Sequence, residues 1–548
     1  MPKIEVSHKD LCTLIGRKLS VEQLADEILF AKGEIDEVSD DMLKLDLKDT
    51  NRPDMWSAEG VAREIKARKN PEFPDYNVRK SGYAVIADKS VENVRPYTAC
   101  AIVKGVKFDK AVLSQIIQLQ EKVGGTFGRN RKEVAIGVYD LDRIKFPIKY
   151  TTVKPDGIKF VPLGFSEHMT PKDILTKHPK GKEYGHLLTG KDYPIFVDSA
   201  GEVLSLPPII NSNHSGQITE KTKDVFIECS GFDKKFLNTA INVLVAALHE
   251  RGGVVYSVDV KYPNKTEVTP DMEPKKFSVN IDSLKKVAGL DLKDKEIIDL
   301  LKKSLYDPKL KGKNIELLYP AYRQDIMHER DVAEDVLISY GFNEIEPRKL
   351  KIITKGGMSK SYAIYEKITQ IMIGCSFQEI ISYTLTNKEN LFNKMNLHGG
   401  CVEIDNPMST NWSVFRTDLL PGLLEFLSKN QHIEYPQSIY EVGNIVLIDA
   451  NAPTRTIDEN RLAAAITSST VNYEMVSSVL DALFRNLKIN YNLKKCDNKS
   501  FIEGRTAEII VNKRRIGFIG EVHPQVLNNW GIEKPVVAFE IDLDDLAK

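Results

Sequence analysis

Apolar side chains at Leu24, Ile28 and Leu29 in KLSVEQLADEILFAKG (18–33), closed by Gly33, predict a helix with a glycine stop. MLKLDLK (42–48) alternates with period two, as a strand does, and NRPDMWSAEGVAREIKARKN (51–70) reads as a turn entering a helix. Beyond residue 75 the pattern becomes strand-rich. YAVIA (83–87), TACAIVKGV (98–106), VAIGVYDLD (134–142), EVLSLPPII (202–210) and DVFIECSG (224–231) predict strands. VLSQIIQLQEKVG (112–124) and FLNTAINVLVAALHERG (236–252) predict helices. VNIDSLKKVAGLDLKDKEIIDLLKKSL (279–305) reads as two short helices around a turn, like a helix-turn-helix unit, and a further helix ends at Gly341. The rest predicts a long α/β stretch, with helices in 358–381 and 419–432 and strands at 438–448 and 461–469. The expected organisation is an α+β multidomain chain with segments 1–75, 76–270, 271–346 and 347–548.

Composition narrows the picture. Of 548 residues, 42% are hydrophobic and 28% charged, so the chain has the material for several cores and is not disordered throughout. Lys plus Arg number 76 against 77 Asp plus Glu, which excludes a uniformly basic nucleic-acid binder but not local RNA contact. No signal-like start and no apolar run long enough to span a bilayer occurs, so no membrane is expected. Six scattered cysteines without a C-x-x-C pair suit free thiols in a reducing cytoplasm. Walker, G-x-G-x-x-G and H-E-x-x-H patterns are lacking. His214, in NSNHSG, reads as a loop histidine.

The sharpest local chemistry is acidic. Asp331, Glu334 and Asp335 share one helix face, and Asp325 lies six residues before Asp331. Like charges at this spacing repel. Either a hard cation such as Mg2+ relieves them, or they are solvated acids favoured by a helix N-terminus. Arg416 in NPMSTNWSVFRTDLLPGLL (406–424) suits phosphate or carboxylate binding, or the pinning of its own loop.

NRPDMWSAEGVAREI (51–65), PPIIN (207–211), YRQDIMHERDVAEDVLISYGFNEIEP (322–347), the segment around Arg416, YEVGNIV (440–446) and GFIGEVHPQVLNNWGI (517–532) together resemble the beta subunits of phenylalanyl-tRNA synthetases of the archaeal or eukaryotic type. The resemblance runs the length of the chain in the right order. It implies an alpha2-beta2 tetramer whose alpha subunit binds ATP and phenylalanine, with tRNA(Phe) as partner. It also implies a catalytically silent, antiparallel-sheet core like that of class II synthetases over 347–548, and a cytoplasmic location. The extra N-terminal and C-terminal RNA-binding domains of bacterial relatives are not expected. Asp325, Asp331, Glu334 and Asp335 fit the family's spacing for a Mg2+ site shared with the alpha subunit.

The resemblance further implies that 76–270 hydrolyses mischarged Tyr-tRNA. A pocket accepting phenylalanine rejects an added hydroxyl poorly, so a second, polar site is needed. Polar residues beside an apolar wall would serve: Ser205 and Asn211 around PPII, Glu228 and Ser230 in FIECSG, Gln120 and Arg131 from the preceding helix and loop. Glu228 is assigned to the substrate's amino group or hydroxyl, Asn211 to the water or ester, and Arg131 to the tRNA end. Structural roles for Glu228 and Arg131 are the alternative. Two other functions compete, a free-standing trans-editing hydrolase and a non-enzymatic tRNA-binding module. Some 200 further residues of synthetase-like core speak against the first.

Overall fold

The computed structural model describes residues 2–349, 354–544 and 546. The chain divides into two compact units, 1–348 and 349–548.

In the first unit, a three-stranded antiparallel sheet (Lys3–Ser7, Met42–Leu47, Gly33–Ser39) carries the helices His8–Ile15, Val21–Ile28 and Ala58–Lys69. Its apolar faces merge with those of helices Lys110–Lys122 and Lys234–Glu250. Ile4, Leu11, Trp56, Val61, Leu119 and Leu244 belong to one buried core. The helix Lys234–Glu250 is apolar on most of its surface because it is covered on most sides, with Leu237 and Thr239 through Leu248 buried.

A ten-stranded sheet follows. Val225–Gly231 lies between Tyr97–Lys104 and Val134–Asp140, antiparallel to both, and all seven of its residues are buried. The far end of the strand order is Ile210–Asn211. The sheet curls until this edge approaches Val134–Asp140 at the opposite end, where the Tyr139 hydroxyl lies 3.3 Å from Asn211 Oδ1. The expected strand over 202–210 is interrupted. The chain turns back at Pro207 and Pro208, which have no N–H to give a ladder, so that Ile210 pairs with Leu206 and Asn211 with Ser205 in an antiparallel hairpin.

The expected helix pair is Ile281–Ala288 and Asp294–Lys303, joined by Glu329–Tyr340. This region is not helix-rich alone. A three-stranded sheet (Lys275–Asn280, Asn314–Tyr319, Asp307–Lys311) backs the helices; its lysine-rich outer strands hide the alternation.

The second unit is a seven-stranded sheet, antiparallel except where Gln378–Glu379 pairs with Gln437–Ile448. Helices Lys360–Gly374 and Tyr473–Leu487 bury one face, and Leu420–Lys429 and Pro524–Trp530 the other. Among the described residues no helix is long and apolar enough to cross a membrane, and the cysteines are free.

Candidate functional site

Between the curled sheet edges and the helix Lys110–Lys122 lies a cavity of about 330 Å3. Ile117, Ile136, Val138, Leu163, Ile210 and Ile218 supply apolar wall. Five of the six expected residues line it: Gln120, Arg131, Ser205, Asn211 and Glu228.

Glu228 reaches the cavity because its buried strand offers this face no other outlet. It pairs with Gly137 on the neighbouring strand. A Cβ at residue 137 would lie 2.1 Å from the Tyr139 hydroxyl, so glycine there is what admits the phenol. The Tyr139 hydroxyl donates to Glu228 Oε1 at 3.1 Å. Burial pushes the Glu228 carboxyl up to about 8, against the opposing pull of Tyr139 and Arg95. The carboxyl is therefore protonated at neutral pH. Its Oε2 and the hydroxyl of Ser205 are both buried and without a hydrogen-bond partner. Ser205 stands beside Asn211 in strand register.

Tyr139 was not among the sequence candidates. A single tyrosine in VAIGVYDLD reads as core, and the only signal was the glycine two positions earlier on the same strand face.

Arg131 is more constrained than a free RNA contact. Its Nη1 donates to the carbonyls of Pro208 and Ile209 at 3.3 and 3.0 Å, and its Nη2 to Glu121 at 2.8 Å. Its guanidinium also lies 4.3 Å from the centre of the Tyr184 ring. Arg131 thus fixes the Pro-Pro turn that forms one wall. The Gln120 side chain makes no hydrogen bond with the described residues, so its amide is available to a ligand.

Ser230 does not reach the cavity. It lies further along the strand, wholly buried, where its hydroxyl and carbonyl accept from Arg95 at 3.2 and 2.6 Å. His214 sits in a turn, and its carbonyl accepts from Arg143.

The acidic cluster does not form the expected metal site within this chain. Asp325 and Asp335 both take bonds from the buried Arg323, and Tyr306 donates to Asp335 at 2.6 Å. Asp331 caps its own helix, accepting from the backbone of Met327 and His328. Glu334 pairs with Lys32 at 2.6 Å. Asp325, Glu334 and Asp335 are paired with cations of this chain and Asp331 with backbone N–H groups, and no cluster of His, Cys, Asp or Glu among the described residues is arranged to hold a metal. The donor set does not fit Mg2+ as it stands. Arg416 likewise pins its own loop, donating to Glu441, Ser382 and the Asn444 carbonyl at 2.7–2.8 Å.

Three family descriptions match the chain: "B3/4 domain" over residues 110–252, "tRNA synthetase B5 domain" over 277–342, and "Phenylalanyl tRNA synthetase beta chain CLM domain" over 328–543. The phenylalanine--tRNA ligase beta subunit of Pyrococcus abyssi is 50% identical over 554 residues, covering 100% of both chains. That of Pyrococcus horikoshii is 49% identical with the same coverage, and that of Archaeoglobus fulgidus 40% identical over 93% of this chain and 92% of its own. A crystal structure of an N-terminal fragment of the Pyrococcus horikoshii phenylalanyl-tRNA synthetase beta subunit superimposes with a TM-score of 0.61 at 50% identity, covering 62% of this chain and 100% of the fragment. With full-length identity at this level and three matched domains in order, the chain belongs to the family of phenylalanine--tRNA ligase beta subunits.

Proposed function

We propose that the cavity over Glu228 is a hydrolytic editing site that removes tyrosine from mischarged tRNA. As a member of its family, the chain serves the ATP-dependent attachment of phenylalanine to tRNA together with an alpha subunit. The observation that carries the editing reading is a pair of buried polar atoms with no partner, Glu228 Oε2 and Ser205 Oγ, in residues that line a cavity with an isoleucine- and valine-rich wall. A tyrosine ring brings a hydroxyl that satisfies them. Phenylalanine buries the same surface and leaves them unpaired, at a cost of about 1–3 kcal/mol for each group. Tyr139 occupies Oε1, so the protonated carboxyl presents its own O–H at Oε2 to the phenol oxygen, and the phenol donates to Ser205.

Asn211 and Glu228 lie within one hydrogen bond of the same Tyr139 hydroxyl, so they serve the same end of the ligand. This moves Asn211 from the ester to the phenol end. The ester lies towards Gln120 and the half-exposed Ile117 at the mouth. There the Gln120 amide and the substrate's own terminal ribose hydroxyl position the attacking water, and the gain comes from orientation.

The segment 76–270 is the editing segment in this reading, and 347–548 is a class II-like core that assembles with the alpha subunit into an alpha2-beta2 tetramer in the cytoplasm. No step is assigned to Mg2+ on this chain, because Asp325, Glu334 and Asp335 are already paired with its own cations and Asp331 caps its own helix.

The test is deacylation of Tyr-tRNA and Phe-tRNA by the alpha–beta assembly. Glu228→Ala and Asn211→Ala should each slow Tyr-tRNA hydrolysis about tenfold or more, about 1.4 kcal/mol of transition-state stabilisation. Aminoacylation should be nearly unchanged. If neither variant slows hydrolysis, the editing site is elsewhere.

A further inference from the structure

A strip of aromatic rings and unpaired cations continues from the cavity mouth. Arg131 links the two. Its side chain lines the cavity, and its carbonyl accepts from Arg95 Nη2 at 3.1 Å. The same Arg95 donates to the Lys132 carbonyl and to Ser230, and its guanidinium lies 5.4 Å from the centre of the Phe232 ring. Phe232 is 45% exposed, although a phenylalanine beside a buried arginine would ordinarily be covered. Phe127 and Phe236 pack with ring centres 5.1 Å apart, and the Arg129 guanidinium lies 5.9 Å from Phe236.

Arg129, by the Phe236 ring, Lys132, whose carbonyl accepts from Arg95, and Lys235, next to Phe236 in sequence, are exposed and form no ion pair among the described residues. The nearby acids are otherwise engaged or set back. Asp233 caps the helix Lys234–Glu250, Glu121 pairs with Arg131, Glu267 with Lys234, and Glu133 is half-buried. The loop is held in this shape against local preference. Arg129, Asn130 and Arg131 have φ of 49°, 53° and 63°, three successive non-glycine residues in the left-handed region. Backbone bonds from Asn130 and Arg131 to the carbonyls of Gly125 and Gly124 keep them there. The fold therefore holds Arg129 beside the partly buried Phe127–Phe236 pair and leaves Phe232 exposed over Arg95, which bonds to the carbonyl of the cavity residue Arg131.

We propose that this strip holds the single-stranded 3′ end of the tRNA as it enters the cavity, with a base stacked on Phe232 and phosphates against Arg129 and Lys132. Stacking on an aromatic ring combined with cations along the backbone is how sequence-tolerant single-strand sites work. From Glu228 to Phe232 is four residues of strand, about 13 Å, so a chain crossing Phe232 lies within a few nucleotides of the cavity floor. The proposal rests on the editing reading and names the part of the substrate that this site grips.

The experiment uses the alpha–beta assembly and a tyrosyl ester of a short oligoribonucleotide ending in CCA, which has no contacts elsewhere on the enzyme. Phe232→Ala and Lys132→Ala should each raise KM for hydrolysis about fivefold or more, with kcat and aminoacylation of full-length tRNA nearly unchanged. Phe232→Trp should restore KM, and Lys132→Ala should flatten the salt dependence of oligonucleotide binding by about 0.7 in log–log slope. Normal hydrolysis with KM unchanged in both variants would overturn the strip and leave the editing site standing. Strip-dependent binding of the uncharged oligonucleotide without any hydrolysis of the ester would support the strip and overturn the editing site.

Discussion

Burial holds the Glu228 carboxyl protonated up to a pH of about 8, and this has a consequence for stability as well as recognition. In the unfolded chain the group ionises near its ordinary value of 4.5. Between these values the unfolded state has lost a proton that the folded state keeps. Glu228 therefore contributes stability that is complete below pH 4.5 and is lost as pH rises towards about 8. The loss runs at roughly 1.4 kcal/mol per pH unit. Glu228→Gln, which is neutral at every pH, should remove that part of the decline. Melting curves of wild type and variant from pH 5 to 8 should diverge, the wild type losing Tm faster. Parallel curves would mean that Glu228 is ionised in the folded chain. The same residue shows what single-residue reading reaches. Glu228, Ser205 and Asn211 were legible because a polar side chain in an apolar strand needs a reason. Tyr139 was not, because its ring belongs to the core and only its hydroxyl to the site. Ser230 looked equivalent to Glu228 by strand period, but the period cannot say that Arg95 already claims it.

At the level of elements, the helix Glu329–Tyr340 and its leading turn are tied together by Arg323. The guanidinium is buried, 2% exposed, between Asp325 and Asp335, while Arg52 ties Asp54 and Glu64 together alongside. Removing one member of such a set leaves uncompensated buried charge, which costs about 3–5 kcal/mol. Arg323→Ala should lower the unfolding free energy of the beta chain by that amount, read as a lower urea midpoint at unchanged m, while a chelator should leave the wild-type midpoint unchanged. A chelator-sensitive midpoint would restore the metal reading of these acids. The period of apolar residues located the helices Lys110–Lys122, Lys234–Glu250 and Glu329–Tyr340 well, because each presents one long buried stripe. It missed the strands Lys275–Asn280 and Asp307–Lys311, where lysines replace the expected alternation. It also missed Phe501–Val511, Arg514–Val522 and Val536–Asp542, whose pairing partners are distant or whose turns are short. Spacing placed the four acids correctly on one turn and helix. Their ion partners are Arg323, which stands in the same segment but reads there as one more surface charge, and Lys32, which no local pattern contains.

On the scale of the whole molecule, the second unit, proposed above as a class II-like core, pairs its buried charges with one another. Arg416 is 5% exposed and donates to Glu441, Ser382 and a backbone carbonyl. Arg461 pairs with Glu540, Asp418 and Glu459. Glu540, pushed up to about 7 chiefly by burial, accepts from the backbone N–H groups of Leu419 and Leu420. Those two groups open the helix Leu420–Lys429, where a nucleotide phosphate would otherwise find free donors. An ATP molecule would have to displace a buried carboxylate from a helix start and break the arginine pairs, with nothing of comparable strength offered in return. A nucleotide-activating site instead keeps arginines aimed at open space, ready for the phosphates. The beta chain alone should therefore show no phenylalanine-dependent exchange between ATP and pyrophosphate, and adding the alpha subunit should bring the exchange up to the level of the assembly. Exchange by the beta chain alone would show that these pairs open readily and that the second unit is an active site in its own right.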